Sequence, residues 1–341
     1  MSNSTQFVFK EMNRLGDNGE PFLFLLDFDG QQAQVFPLKN LENSTKILFD
    51  INGVTNATPL SKKAVSKDES LVFNKKPLSF IEYKKKFDYV AHQIQRGNSF
   101  LVNLTQATPI ETNLSLREIF DLSSAKYKLL FDKQFVFFSP ETFVKIAENG
   151  VISSFPMKGT IDAAVENAEQ ILLADPKEQA EHNTIVDLIR NDLSQVAVGV
   201  RVERFRYVDR LEARGKTLLQ VSSKITGQLP TDFTAHLGDI FQKLTPAGSI
   251  CGAPKPKTLD IIRSVEGYER GFYTGIVGIF DGKTVDSGVM IRFIEQIPPQ
   301  SSRRREVGQL VFKSGGGITA MSDAAAEYAE LIAKIYLPIV K

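Results

Sequence analysis

A small set of acidic and basic residues stands at spacings that chemistry can use. Glu178 and Glu181 lie three positions apart in Asp175-Pro-Lys-Glu-Gln-Ala-Glu-His182. The surrounding pattern predicts a long helix over 176–196, so both carboxylates project from one helical face. Glu327 and Glu330 repeat the device in a second predicted helix that begins near Ala324. Four carboxylates on two helices read in two ways. They form an oxygen-lined site for a hard cation such as magnesium, with positions left open for an anionic substrate, or they are ordinary solvated helix faces. Lys158, in Pro156-Met-Lys-Gly-Thr160, falls between a strand and a loop. It is either a surface lysine or an amine whose pKa partial burial lowers, freeing it as a nucleophile. His182 is a candidate metal ligand or helix cap, but no second histidine stands at ligand spacing, which argues against zinc.

Two glycine-bearing segments add backbone chemistry. Gly315-Gly316-Gly317 and the loop from Pro246 to Lys255 each precede a predicted helix. Backbone N–H groups at such a place can receive a carboxylate or phosphate. Neither matches a P-loop or a dinucleotide fingerprint, and as bare turns both can be purely structural.

The elements that must position these residues follow from pattern. Segments 21–28 and 32–37 read as strands joined at Asp29-Gly30, so the chain opens on a β element. The polar stretch 58–68 reads as a loop or subdomain boundary. Phe80, Tyr83, Phe87, Val90 and Ile94 recur at helical spacing with Lys84, Lys85 and Lys86 between them as a solvated face, and Gly97 ends the helix. Strands follow at 100–107, 135–138, 143–147 and 151–155, the last two joined at Asn149-Gly150. After the 176–196 helix come strands at 200–208 and 217–227, then helices at 233–244 and 256–265. Strands at 272–280 and 284–293 flank Asp281-Gly282, and 309–313 runs into the glycine triplet. So many hairpins predict an α+β fold of mostly antiparallel sheets covered by helices. Arg303-Arg304-Arg305 reads as a loop tip.

Composition removes whole classes of function. The 341 residues are 42% hydrophobic and 24% charged, too apolar for disorder. Basic residues number 41 and acidic residues 40, for a net charge of +1, which gives no field toward nucleic acid or an anionic membrane. One cysteine, Cys251, excludes an internal disulfide framework. No export signal is visible, and the early apolar run from Phe22 stops at Asp27, so the expected location is cytoplasmic.

In their order, these segments resemble the chorismate-utilising enzymes: component I of anthranilate synthase and of aminodeoxychorismate synthase, with the isochorismate and salicylate synthases. The resemblance runs from about residue 80 to the C-terminus, and it implies an α+β fold of two packed, mainly antiparallel sheets with helices outside, in which a short β-rich portion over 1–79 is integrated with a chorismate-binding catalytic region over 80–341. It rests on Asn103-Leu-Thr-Gln106, Ser139-Pro-Glu141, Pro156-Met-Lys-Gly-Thr160, Glu181-His182 with Ile185-Val-Asp-Leu-Ile-Arg-Asn-Asp192, Gly248-Ser-Ile-Cys-Gly-Ala-Pro-Lys255, Tyr273-Thr-Gly275, and Gly315-Gly-Gly-Ile with Ser322-Asp323 and Glu327. Lys158 points to the aminodeoxychorismate synthase branch, since the anthranilate and isochorismate branches usually carry Ala at that place.

The resemblance implies magnesium-dependent amination of chorismate to 4-amino-4-deoxychorismate, a step toward 4-aminobenzoate and folate. In that reading Lys158 is the nucleophile and Glu141 the general acid. Glu181 and Glu330 hold magnesium directly, with Glu178 and Glu327 acting through water. Arg292, Tyr273, Gly316 and Gly317 hold the enolpyruvyl carboxylate, and Lys334 stands near the ring carboxylate. Ser249, Cys251, Gly252, Gln220 and Thr160 complete the substrate-binding set. A separate glutamine amidotransferase subunit supplies ammonia. Three positions depart from the family pattern. Leu101 replaces a general-base lysine and disfavours water as nucleophile, Gln220 replaces a histidine, and Cys251 a threonine. Anthranilate synthesis and a non-catalytic chorismate- or partner-binding module remain as alternatives.

Overall fold

Strand β1 (Phe22–Leu26) reads Phe-Leu-Phe-Leu-Leu, and every residue in it is buried. Its side chains alternate between two layers, as the two-residue period of a strand requires. Phe22, Phe24 and Leu26 enter a core beneath helices, with Phe241 and Leu237. Leu23 and Leu25 enter a second core with Phe49, Leu129, Phe137 and Phe293. A continuous apolar run thus reports a strand covered on both faces.

The computed structural model describes residues 3–58, 71–213, 216–298 and 308–339. One sheet comprises β1, β2 (Ala33–Pro37), β9 (Thr142–Ile146), β10 (Val151–Ser154), β11 (Met157–Asp162), β12 (Val198–Ala213), β13 (Lys216–Gln228), β14 (Ile276–Phe280) and β15 (Val285–Val289). The other comprises β3 (Ile47–Ile51), β4 (Val54–Thr55), β5 (Phe73–Lys75), β6 (Val102–Thr112), β7 (Tyr127–Phe131), β8 (Phe135–Ser139), β16 (Phe293–Ile297) and β17 (Gln309–Ile318). Their orders are β11-β13-β10-β9-β15-β14-β1-β2, with β12 on β13, and β4-β3-β7-β8-β16-β17-β6-β5. The pairings are antiparallel, as in β1 with β2 and β14, and β17 with β6 and β16. The helices are α1 (Asn3–Asp17), α2 (Phe80–Gln95), α3 (Leu116–Leu122), α4 (Ala168–Ala174), α5 (Pro176–Leu193), α6 (Leu237–Leu244), α7 (Gly248–Cys251), α8 (Lys255–Glu266) and α9 (Ala324–Ala333). This is the expected α+β arrangement of two packed antiparallel sheets.

Four local expectations change. The chain opens on α1 rather than on a strand. Phe9, Met12 and Leu15, three apart, bury one stripe of it in the core, and the Asn13 carboxamide accepts a hydrogen bond from the Gly238 N–H on α6 at 2.6 Å. The expected strand over 284–293 divides between sheets. β15 ends at Val289 in one, Arg292 turns the backbone at φ +54°, and Phe293 opens β16 in the other. Lys86 is half-buried and donates to the Gln106 side chain and the Glu266 carbonyl, while Lys84 and Lys85 are solvated as expected. Gly315, Gly316 and Gly317 form no turn: they continue β17, paired with Thr105, Leu104 and Asn103 of β6. Residues 59–68 of the polar stretch and the arginine triplet lie outside the described residues.

Candidate active site

Helix α5 begins with an Asp175 cap, whose carboxylate accepts the Glu178 N–H at 3.0 Å, and with Pro176 in its first turn. That start fixes Lys177, Glu178 and Glu181 in the first turns, where the positive helix end favours carboxylates. Strand β11 brings Lys158 opposite them. A bulge between Lys158 and Thr160 is made by Gly159 at φ +74°, and a Cβ there would stand 3.3 Å from a Glu178 oxygen. The Lys158 ammonium reaches the buried Glu181 carboxylate at 2.5 Å.

From the other side come β17 and α9. Asp323 caps α9 and Glu327 follows one turn later; its Oε1 accepts from Ser322 at 2.8 Å and from Lys177 at 3.1 Å. Gly316 leaves the room this needs, since a Cβ there would lie 3.3 Å from the second Glu327 oxygen. Lys334, one helical turn past Glu330, pairs with it at 2.6 Å and donates to the Gly315 carbonyl at 2.8 Å.

Between these walls lies a cavity of about 530 Å³. Lys158, Thr160, Glu178, Gln220, Ser249, Tyr273, Arg292, Gly316, Gly317, Glu330 and Lys334 line it, with Glu141 at the β8–β9 junction. Glu181 and Glu327 stand behind that wall, buried and paired with lysines. Gln220 donates to the Thr160 hydroxyl at 3.2 Å. Leu101 lines the cavity as an apolar wall, and beside it stands Asn103 with a buried carboxamide oxygen that has no hydrogen-bond partner.

Cys251 and Gly252 do not line the cavity. The thiol is fully buried in the apolar core and contacts the Gly252 carbonyl at 3.3 Å, and burial pushes its pKa up to about 12. A Cβ on Gly252 would fall 1.7 Å from the Leu101 carbonyl, so that glycine permits chain packing. His182 does not cap α5, whose N-cap is Asp175. Its Nε2 meets the Ser223 hydroxyl at 2.7 Å, and burial, with Arg206 and Lys158 nearby, pushes its pKa down to about 4.

The electrostatics reverse one expectation. Burial does act to lower the Lys158 pKa, but the Glu181 carboxylate, helped by Glu178 and Glu330, outweighs it and holds the ammonium above its ordinary range. Burial raises Glu141 against Lys334, Arg292 and Lys158, which favours its protonated form. Burial also raises Glu178, whereas at Glu330 burial is overcome by Lys334 and the pKa falls.

Among the described residues, no three acidic, histidine or cysteine side chains converge as a ready ligand cage. The donor set nevertheless fits a hard cation: all four groups are carboxylates, and Glu181 Oε1 is buried with no hydrogen-bond partner. Lysine ammonium groups supply the positive charge. Lys177 joins the site only in the folded chain, and the sequence signal for it is its i,i+4 spacing to Glu181.

This fold and cavity define a class. The chain belongs to the chorismate binding enzyme family, which it matches over residues 22–339, and it is an enzyme that acts on chorismate. It is 47% identical over 340 residues, 99% of each chain, to the "Uncharacterized PabA-like protein" of Haemophilus influenzae. It is 33% identical to aminodeoxychorismate synthase component 1 of Salmonella typhimurium over 74% of this chain and 56% of that one. Anthranilate synthase component 1 of Archaeoglobus fulgidus is 34% identical over 73% and 57%. The chain thus spans little more than half the length of those two relatives. Among solved structures, the menaquinone-specific isochorismate synthase MenF of Escherichia coli shares the fold, with a TM-score of 0.69 at 17% identity over 96% of this chain and 80% of that one. Among the described residues no helix is long and apolar enough to cross a membrane.

Proposed function

We propose that this chain aminates chorismate at ring carbon 4, giving 4-amino-4-deoxychorismate. The observation that carries the reading is the Lys158 amine in the wall of the same cavity as Glu141. Hydroxide leaves poorly unless protonated as it departs, and Glu141, its pKa raised by burial, keeps the proton that the carbon-4 hydroxyl needs. The neutral Lys158 amine adds at carbon 2 as that hydroxyl leaves as water. Ammonia then adds at carbon 4 and expels the lysine, so one difficult substitution becomes two easier ones.

Lys158 must first lose the proton that Glu181 stabilises. Glu178, Glu181, Glu327 and Glu330 would hold magnesium, which when bound neutralises the ring carboxylate. Arg292, whose Nε is buried without a partner, has hydrogen-bonding capacity free for the enolpyruvyl carboxylate beside Tyr273. Leu101 supplies no base for water. A glutamine amidotransferase subunit is the proposed source of ammonia, and the cytoplasm the proposed location.

Relatives of this chain include anthranilate synthase component 1, so product identity decides. The purified chain is incubated with chorismate, magnesium and ammonium salt without a glutaminase. Aminodeoxychorismate, confirmed by conversion to 4-aminobenzoate with an added lyase, is expected. Anthranilate with pyruvate would overturn the reading, and a chain that binds chorismate without consuming it would be the non-catalytic module.

A further inference from the structure

We propose that Lys177 is a built-in stand-in cation that ties the two carboxylate-bearing helices together and is displaced to solvent when a divalent cation binds. The inference rests on the reading above in taking a divalent cation as the ligand of these carboxylates.

The Lys177 ammonium lies 3.1 Å from Glu327 Oε1 on α9 and 3.7 Å from Glu181 Oε1 on α5. Among the described residues it is the one lysine that spans a glutamate of each helix; Lys158 pairs with Glu181, and Lys334 with Glu330. Its hold is incomplete. It makes a hydrogen bond to Glu327, but Glu181 Oε1 stays buried without one. A buried carboxylate oxygen in that state carries a desolvation cost that a closer, more highly charged partner would relieve. A divalent cation gathers oxygens from several carboxylates and brings twice the charge of an ammonium. Lys177 is also placed to leave: its side chain is 32% exposed and springs from the first turn of α5. Lys158, at 24% exposure, is held by a shorter contact, and Lys334 is tied to the Gly315 carbonyl. Lys177 is thus a positioning residue that keeps the site assembled before the cation arrives and competes with it.

Calorimetric titration of Mg²⁺ and Mn²⁺ into the whole chain tests this with no reliance on turnover. Lys177→Met, which removes the competing charge, is expected to bind Mg²⁺ about tenfold more tightly. It should melt lower without cation and gain more on saturation, and Lys177→Arg should stay near the parent affinity. Unchanged or weaker Mg²⁺ binding by Lys177→Met overturns the proposal. A second measurement needs no variant: lysine acetylation of the parent chain, read by mass spectrometry, should modify Lys177 faster with Mg²⁺ than without, and an equal or slower rate overturns the proposal. If the parent chain binds neither cation, the magnesium role above fails and this inference with it. If Mg²⁺ binds and supports amination while both readouts stay flat, this inference alone falls.

Discussion

The Lys158 ammonium and the Glu181 carboxylate meet at 2.5 Å between β11 and α5, and this contact joins the proposed nucleophile to the proposed cation site. One carboxylate cannot satisfy an ammonium and a divalent cation equally. Loading of the cation and freeing of the amine are therefore linked through Glu181, a consequence of placing β11 against the N-terminal turns of α5.

Replacing Lys158 by Ala should lower the rate of aminodeoxychorismate formation at saturating ammonia by at least about 10³-fold, because the covalent route is lost. The circular dichroism spectrum should stay that of the parent. Product formation followed with a coupled lyase checks it; near-normal turnover would exclude an obligatory lysine adduct.

Glu141→Gln should lower kcat by roughly 10²–10⁴-fold with little change in the KM for chorismate, since the amide keeps the shape but cannot donate a proton as an acid does. Burial raises the Glu141 pKa, so the acid form persists upward in pH and activity declines as pH rises through that raised value. The variant's residual activity should lack that limb, and a pH–rate profile of both proteins decides it.

The His182 pKa lies near 4, below its ordinary 6.5, so the folded protein keeps the ring neutral where the unfolded chain takes up a proton. Its contribution to stability is therefore lost as pH falls from 6.5 to about 4. Asp27, which burial pushes up to about 6, works in the opposite sense: the stability it lends below 3.8 is lost as pH rises to about 6. Comparison with His182→Gln isolates the ring. Over the 6.5 to 4 interval the parent's melting temperature should fall further than the variant's, and parallel curves would refute the assignment.

Arg270 and Glu266 form a fully buried pair at 2.6 Å, and Arg270 also donates to the Asn103 carbonyl at 2.6 Å on the strand that walls the cavity. Arg270→Met leaves Glu266 buried without its countercharge and should cost about 3–5 kcal/mol of stability. Urea denaturation midpoints measure it; a loss below about 1 kcal/mol would mean that Glu266 finds another partner or takes a proton.

The elements were readable where local physics dominates. Phe80 to Ile94 announce α2 by helical spacing, and Asp29-Gly30, Asn149-Gly150 and Asp281-Gly282 do join antiparallel strands. α1 was missed because its sequence is mostly polar, and only the stripe of Phe9, Met12 and Leu15 marks the face that meets α6. The expected strand over 284–293 ran past the end of β15 to the first residue of β16 because Val289, Met290, Ile291 and Phe293 are apolar, and the single Arg292 among them does not tell which sheet each residue joins.

By itself the sequence determined the kinds of chemistry available: carboxylate pairs three apart on helices, a lysine between a strand and a loop, and glycine-bearing segments that can offer backbone N–H groups. Such properties depend on residue type and local period, which the chain carries wherever it folds. Tertiary structure alone decided the partnerships. It set Lys158 on Glu181 and reversed the expected direction of its pKa, put Lys177 between α5 and α9, and turned Cys251 into the core. The physical reason is that electrostatic and desolvation energies depend on distances and burial among residues far apart in the chain, and only the packing of the two sheets and their helices fixes those.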